Sequence, residues 1–516
     1  MKSNLGGWIA AAGLFAAVSL LAAGVLAASP VTQLSLNART GYAGIPAGST
    51  ANVVPRIVKN VNDFYSEIWV QNTGAVLASV NIDFGVQSIN FNVQPGAVHY
   101  IDLAGIALPD NFAGPAEIAS SEPLAVLTGT YSSSDSGQRL LSNALPLSSS
   151  EMKFNLPRQH RDVGGFISAS TIYNAAGSGD ANVSLAWFNP DGSIAETMEA
   201  MIPNGSAVTY FPIPAPAGFE GHLVVTSDLP VLGETALFDE SLEGDFSGPS
   251  CIEPDGAGLY IRHLPYINHV QASSESTELT LVNLSPGSGS TITGTFHLPG
   301  GGVSGIVTDT VASHGQIRIA TGDLPFAGSS WAGSVLLESD RPFALNAMYL
   351  AAAEFFLVED YFLSGCFDPT PSPTGYMQSF LPLVDSDSSI VVQNASGTLA
   401  SIGLTYYNPD GTVAAIVPDT IAGNGSGTYS LVPPGFDGSA VVTSDKPIWA
   451  MVIIEPEAPT PTPTATNTAS PTPTPTGTDT STPGPATLTP TATASPTITP
   501  TQADNFPIYL PIIIRE

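Results

Sequence analysis

One internal repeat limits what this chain can become, because a segment that recurs four times must fold four times in much the same way. Phe112, Phe219, Trp331 and Phe436 each stand two residues before a glycine: Gly114, Gly221, Gly333 and Gly438. Eleven residues after each aromatic comes a proline (Pro123, Pro230, Pro342, Pro447), and three residues before each proline a serine (Ser120, Ser227, Ser339, Ser444). Successive copies are offset by 107, 112 and 105 residues, for the aromatic and the proline alike. Each copy opens on an aliphatic–Pro pair: Val54-Pro55, Leu156-Pro157, Leu264-Pro265 and Leu381-Pro382. A β-rich run ending in asparagine follows, at Asn72, Asn174, Asn283 and Asn394, and a later turn is marked by Gly96, Gly205, Gly315 and Gly425.

These landmarks read as sheet chemistry. Asn189-Pro190-Asp191-Gly192 and Asn408-Pro409-Asp410-Gly411 are turn sequences, since Pro presets φ, Asp caps locally and Gly takes the left-handed position. Runs such as Ser439-Ala440-Val441-Val442-Thr443-Ser444 carry β-branched residues, and the proline three residues past each serine suits a strand edge or bulge. Short strands with turns every 8–12 residues and no sustained 3.6-residue period predict an all-β chain. The expected architecture is four tandem antiparallel β-sandwich modules, Ig-like or jelly-roll-like, at 52–130, 154–240, 261–350 and 378–455. Connectors of about 20 residues are expected between them.

The ends differ from the middle. Lys2 and the uncharged stretch from Trp8 to Ala28, closing on small residues, predict a signal peptide over 1–28; an uncleaved anchor is the alternative, and the only membrane attachment expected. From Pro459 to Thr501 the composition collapses to Pro, Thr, Ala and Ser, so residues 458–505 read as a disordered stalk reaching on the order of 100 Å. A strand-like tip over 507–516, with Tyr509, Leu510, Pro511 and Arg515 as its marks, reads as a docking strand, a sorting tag or a frayed end. Only two cysteines occur, Cys251 and Cys366, flanking the third module. A disulfide between them would add roughly 4–5 kcal/mol in the chain-entropy view; two free thiols are the alternative.

The motifs together resemble those of secreted repeat proteins of Chloroflexota-type filamentous bacteria. The shared marks are the Leu-Pro opening, Val392-Gln393-Asn394, Gly435-Phe436-Asp437-Gly438, Ser444-Asp445-Lys446-Pro447 and the Tyr-Leu-Pro-aliphatic-Arg terminus after a Pro/Thr stalk. The resemblance implies an extracellular location and brings no catalytic residues. Module three departs most, with Trp331 in place of Phe.

Charge narrows the partners. With 13 Lys plus Arg against 44 Asp plus Glu, the net charge is −31, which repels phosphate backbones and anionic headgroups, so no nucleic acid is expected. The seven histidines fall in no HExxH or zinc spacing and read as core or surface residues. Gly328-Ser329-Ser330-Trp331-Ala332 lacks the second glycine of a nucleophile elbow. Asp228, Asp340 and Asp445 recur at equivalent places, which fits a structural turn better than a glycosidase pair. Asp191 and Asp410 offer oxygen atoms that bind calcium weakly at best, without an EF-hand pattern, so no cofactor is expected. Asn182, Asn204, Asn283, Asn394 and Asn424 stand in Asn-x-Ser sequences. The expectation is a non-enzymatic extracellular or cell-surface structural or adhesive protein, whose partner is a surface component, a glycan or another copy. The alternative is an array binding carbohydrate or another surface polymer through Trp187, Phe188, Tyr406 and Tyr407; a hydrolase with an unrecognised site is the third.

Overall fold

The computed structural model describes residues 40–133, 139–238, 244–247, 250–251, 258–351, 354–359, 375–430 and 435–454. The signal segment, the stalk, the C-terminal tip and Cys366 lie outside these residues. Among them the regular structure is antiparallel strand, broken by four one-turn 3-10 segments.

Four sheets follow one another along the chain on the same strand order. In module one the order across the sheet is Ser88–Val93, Ala78–Asp83, Phe112–Ser132, Ser49–Val61, Phe64–Asn72 and Val98–Asp102. The 21-residue strand Phe112–Ser132 serves both layers. Its first half pairs with 78–83 and 49–61, and its second half, past Pro123, pairs with 64–72. The sheet therefore curls over its own core as a half-barrel sandwich. Modules two and four use one long strand in the same way (Phe219–Phe238, Asp437–Ile454), and module three splits it into Ser330–Ser339 and Phe343–Ala351.

The repeated residues explain the curl. Each opening proline sits inside a register shift, between Val54 and Ile57, Leu156 and Gln159, Leu264 and Ile267, and Leu381 and Val384. A residue without an N–H is tolerated there because the bulge already interrupts the ladder. Ser120, Ser227, Ser339 and Ser444 each accept a hydrogen bond from the N–H two residues on, holding the bend where the long strand changes layer. The prolines of that bend accept through their carbonyls from Thr73, Ala175, Leu284 and Ala395.

The four buried asparagines are the most regular feature. The Nδ2 of Asn72 donates to the carbonyls of Val76 and Val93, while its Oδ1 accepts from Gly74 N at 2.8 Å. Asn174, Asn283 and Asn394 repeat the arrangement with the carbonyls of Ile202, Val311 and Ile421 and the amides of Ala176, Ser285 and Ser396. Buried and bonded at both ends, Asn283 and Asn394 are closed to glycosylation despite their sequence context.

The described parts of the stretches expected as connectors are largely sheet. Arg139–Asn143 pairs with the second half of the first long strand, Gly244–Ser247 with the second, and Glu354–Glu359 with Phe343–Ala351. In module four that place is taken by a segment from the other end of the chain: Thr40–Ala43 pairs with Met451–Ile454.

Each module also has a second buried face. In Phe112–Ser132, Leu124 and Val126 point into the module's own core, whereas Ala125 and Leu127 pack on neighbouring modules. The largest apolar cluster thus holds module three's core together with side chains from all four modules. Contacts run from each opening strand to the next module's second layer, and from module four's opening strand (Tyr376–Asp385) back to strands 64–72 and 112–132 of module one. The four modules close a ring.

Candidate functional site

Two surfaces carry chemistry beyond the module cores: the seams between modules, and the outermost strand of each sheet.

The aromatic–x–Gly landmarks of modules two to four stand beside the seams, their rings in their own module's core. The Phe219, Trp331 and Phe436 rings fold back over Gly221, Gly333 and Gly438, and a Cβ at those glycines would stand 2.0, 2.0 and 2.2 Å from the carbonyl oxygens of Phe188, His297 and Tyr407. Only glycine fits. Phe112 lies over Gly114 without such a carbonyl. The next side chain then crosses the seam: His222 Nε2 reaches His314 O at 2.9 Å, Ser334 Oγ reaches Asn424 O at 3.4 Å, and Ser439 Oγ reaches Gly96 O at 3.0 Å. All three acceptors have positive φ and occupy the same turn in successive modules. At the first seam Pro115 replaces the donor, and the Tyr173 hydroxyl bonds Glu117 instead.

The second seam carries the charge. Arg158, almost wholly buried, donates to Glu278 at 2.6 Å and to Thr280 at 3.0 Å. Arg318 joins Glu278 at 2.8 Å and Glu220 at 2.7 Å. Burial raises the Glu278 carboxyl, but the two guanidiniums outweigh it and hold its pKa below the usual range. At the first seam burial pushes Glu234 up to about 8, despite the Arg56 guanidinium beside it and the Arg56 N–H bonded to it. Desolvation lowers His160 and His263 to about 3 and His222 to about 4. These histidines are neutral parts of the packing. Among the described residues no three His, Cys, Asp or Glu side chains are placed to hold a metal.

The remaining candidates have local duties. Asp228, Asp340 and Asp445 each accept the backbone N–H of the facing strand, at Asn182, Thr291 and Ser401. Asp191 and Asp410 spend one carboxylate oxygen on the N–H and hydroxyl of Ser193 and Thr412. Cys251 pairs by its backbone with Phe154; Cys366, and with it the question of a disulfide or two free thiols, falls outside the described residues, as do Tyr509, Leu510, Pro511 and Arg515. The aromatics expected to stack on a glycan do not form an open face. Trp187, Phe188 and Tyr406 are buried, and the Tyr407 ring lies against Gly96 of module one. All four are expected on one exposed face; instead Trp187 and Tyr406 enter the module cores while Phe188 and Tyr407 enter the seams, against His314 and Gly96.

Exposed apolar groups lie elsewhere, on the outer strands Ile194–Ile202, Val303–Val311 and Val413–Ile421. Ile194, Val303 and Val413, each two residues past a positive-φ glycine, are 59%, 57% and 53% exposed. Ile306 and Ile416, three residues further, are 62% and 65% exposed. Met201 is as open in module two, with Glu196 and Glu199 on the same strand. The signal was present as aliphatics after each turn glycine, but a core strand shows the same pattern.

No protein-family profile matches the chain, and no curated protein matches its sequence. Among solved structures, a calcium-binding mutant of Bacteroides uniformis β-glucuronidase 2 aligns at 12% identity and a TM-score of 0.10, over 40% of this chain and 26% of that one. A glycoside hydrolase family 32 protein from Bifidobacterium adolescentis aligns at 10% identity and a TM-score of 0.15, over 80% and 99%. The native conformation of E. coli alpha-2-macroglobulin gives 10% and 0.12, over 78% and 28%. At scores this low none of them carries an argument about activity.

Proposed function

We propose that this chain is a non-enzymatic structural or adhesive protein of the cell exterior, whose body presents its outer strands for contact. The observation that carries this reading is the recurrence of exposed aliphatic side chains at matched positions in three successive modules, on an acidic body. Aliphatics repeated around one body offer several weak contacts at once, and such contacts add through effective concentration. The use of the buried charges and histidines within seams supports the same reading, since those groups are committed to packing.

The test is adhesion of the purified protein to abiotic surfaces and to its own cells, followed by quartz microbalance and cell-attachment counts. The triple variant Ile194→Glu/Ile306→Glu/Ile416→Glu should fold as the parent does and lose at least tenfold in retained mass. Unchanged retention, or turnover in a broad screen of glycoside, peptide and ester substrates, would overturn the proposal.

A further inference from the structure

Among the described residues, modules one to three each receive an extra edge strand from the chain that follows them, and module four does not. In module one, Leu127 pairs with Asn143, and Leu145 then pairs with Val53 on the opening strand. In module four, Met451 pairs with Ala43, and Ile45 bridges to Phe380. Ala43 and Ile45 lie 100 residues before Asn143 and Leu145, and Gly44-Ile45-Pro46 answers Ala144-Leu145-Pro146. Segment 40–46 is thus one more copy of the connecting element, carried at the front of the chain and used at the back of the ring. Past Glu455 the sequence turns to Pro and Thr for about fifty residues, and the next strand-like run is the tip over 507–516.

The segment is held by specific contacts. Thr40, Tyr42 and Ile45 are buried, and the Tyr42 hydroxyl both donates to Leu383 O and accepts from Leu383 N at 3.0 Å. Asn143 Nδ2 of module one donates to Ala43 O at 2.9 Å, so the segment also ties module four to module one. Only Ala47 and Gly48 join it to the next strand, which belongs to a different sheet. Beneath it lies the edge Met451-Val452-Ile453-Ile454, buried while the segment is in place.

We propose that residues 40–46 are a removable clasp that keeps the chain monomeric, and that its release opens the module-four edge to a strand from a second copy. Release leaves unpaired N–H and C=O groups beside aliphatic side chains, the combination that recruits another strand. The short hinge makes the clasp a candidate for exchange between copies. The inference stands apart from the adhesive reading, because the outer strands and this edge are different surfaces.

The test compares four forms of the full chain by light scattering after size exclusion, from 1 to 100 µM. The parent should be monomeric throughout. Deletion of residues 40–46, and separately the loosened variant Tyr42→Ala/Ile45→Ala, should at least double the mass at the upper concentration. A tenfold excess of a synthetic peptide spanning residues 38–47 should return the deletion variant to monomer. The cross-linked pair Ala43→Cys/Met451→Cys, its bond identified by peptide mass, should stay monomeric. If the deletion variant precipitates, the loosened and cross-linked variants decide. A loosened variant that stays monomeric, a cross-link that fails to form, or association that the cross-link does not prevent overturns the proposal.

Discussion

Acid should open the second seam through one histidine. His222 is buried between modules two and three, its ring stacked on Phe188 and its Nε2 directed at His314 O. Its other nitrogen faces the Asn155 Nδ2 at 2.6 Å, and that amide is oriented by a second bond to Leu223 O at 3.1 Å. Asn155 therefore donates to Nδ1, and the neutral ring carries its proton on Nε2. Protonation would set two donors against each other, and rotating the amide would set Asn155 Oδ1 against the Leu223 carbonyl. Burial, first among the causes, lowers the pKa to about 4 from 6.5. A lowered histidine binds fewer protons folded than unfolded, so its contribution is present above pH 6.5 and is lost as pH falls toward 4. At about 1.36 kcal/mol per pH unit, the interval makes that contribution about 3 kcal/mol. The comparison is His222→Ser, because serine fills this place in modules three and four and still reaches the next turn. Urea midpoints from pH 8 to pH 4 should show the variant less stable at pH 7.5, and the gap should shrink by about 3 kcal/mol at pH 4. His160, His263 and Glu234 titrate in both proteins and cancel in the difference. Parallel curves would refute the assignment of His222 as a buried neutral donor.

Glycine at the start of the long strand should be indispensable where a carbonyl faces it: Gly438→Ala should cost about 2 kcal/mol or more in urea unfolding, and Gly114→Ala well under that. Truncating Asn394→Ala removes a buried donor to the carbonyls of Thr398, Ile421 and Ala422 and the acceptor of the Ser396 N–H, and should lower stability by about 2–3 kcal/mol by the same measurement. In the charged seam, Glu278→Gln should cost about 3–5 kcal/mol because Arg158 stays buried without its partner; Arg158→Met with Glu278→Gln should restore much of this in a double-mutant cycle. On an outer strand, Ile416→Glu should move stability by no more than about 0.5 kcal/mol, read from the melting curve.

The legible part of the fold was the part written in local chemistry. A proline in a bulge, a serine accepting from two residues on, a glycine under an aromatic ring and an asparagine closing a strand each act within a few residues of themselves. Four copies at one offset therefore displayed them plainly. The seams were not legible, because their partners lie about a hundred residues away and differ from copy to copy. Arg158 meets Glu278, the equivalent position after the opening proline is Tyr266 in module three, and it is Leu383 in module four. One signal did exist. The second half of module four's long strand, Ile448-Trp449-Ala450-Met451-Val452-Ile453-Ile454, is continuously apolar, and module one's opens with the apolar run Leu124-Ala125-Val126-Leu127, whereas Ala78–Asp83 alternates. A continuous run marks a strand covered on both faces, and in an antiparallel sandwich that second cover must come from outside the module.

That requirement makes the ring a consequence of the modules. A module whose second layer is apolar on both sides leaves one face wet if it folds alone, and a row of such modules leaves a wet face at each end. Closure removes both ends at once, which is why the element that completes module four comes from residue 40 and not from residue 460. It also changes the unit of stability. Sequence repetition suggests beads that unfold one at a time, but each seam here continues into a neighbour's core, as Trp69 and Leu127 packed into module four's cluster show. Loss of one module strips cover from two others, so residues 40–454 are held as one body rather than four.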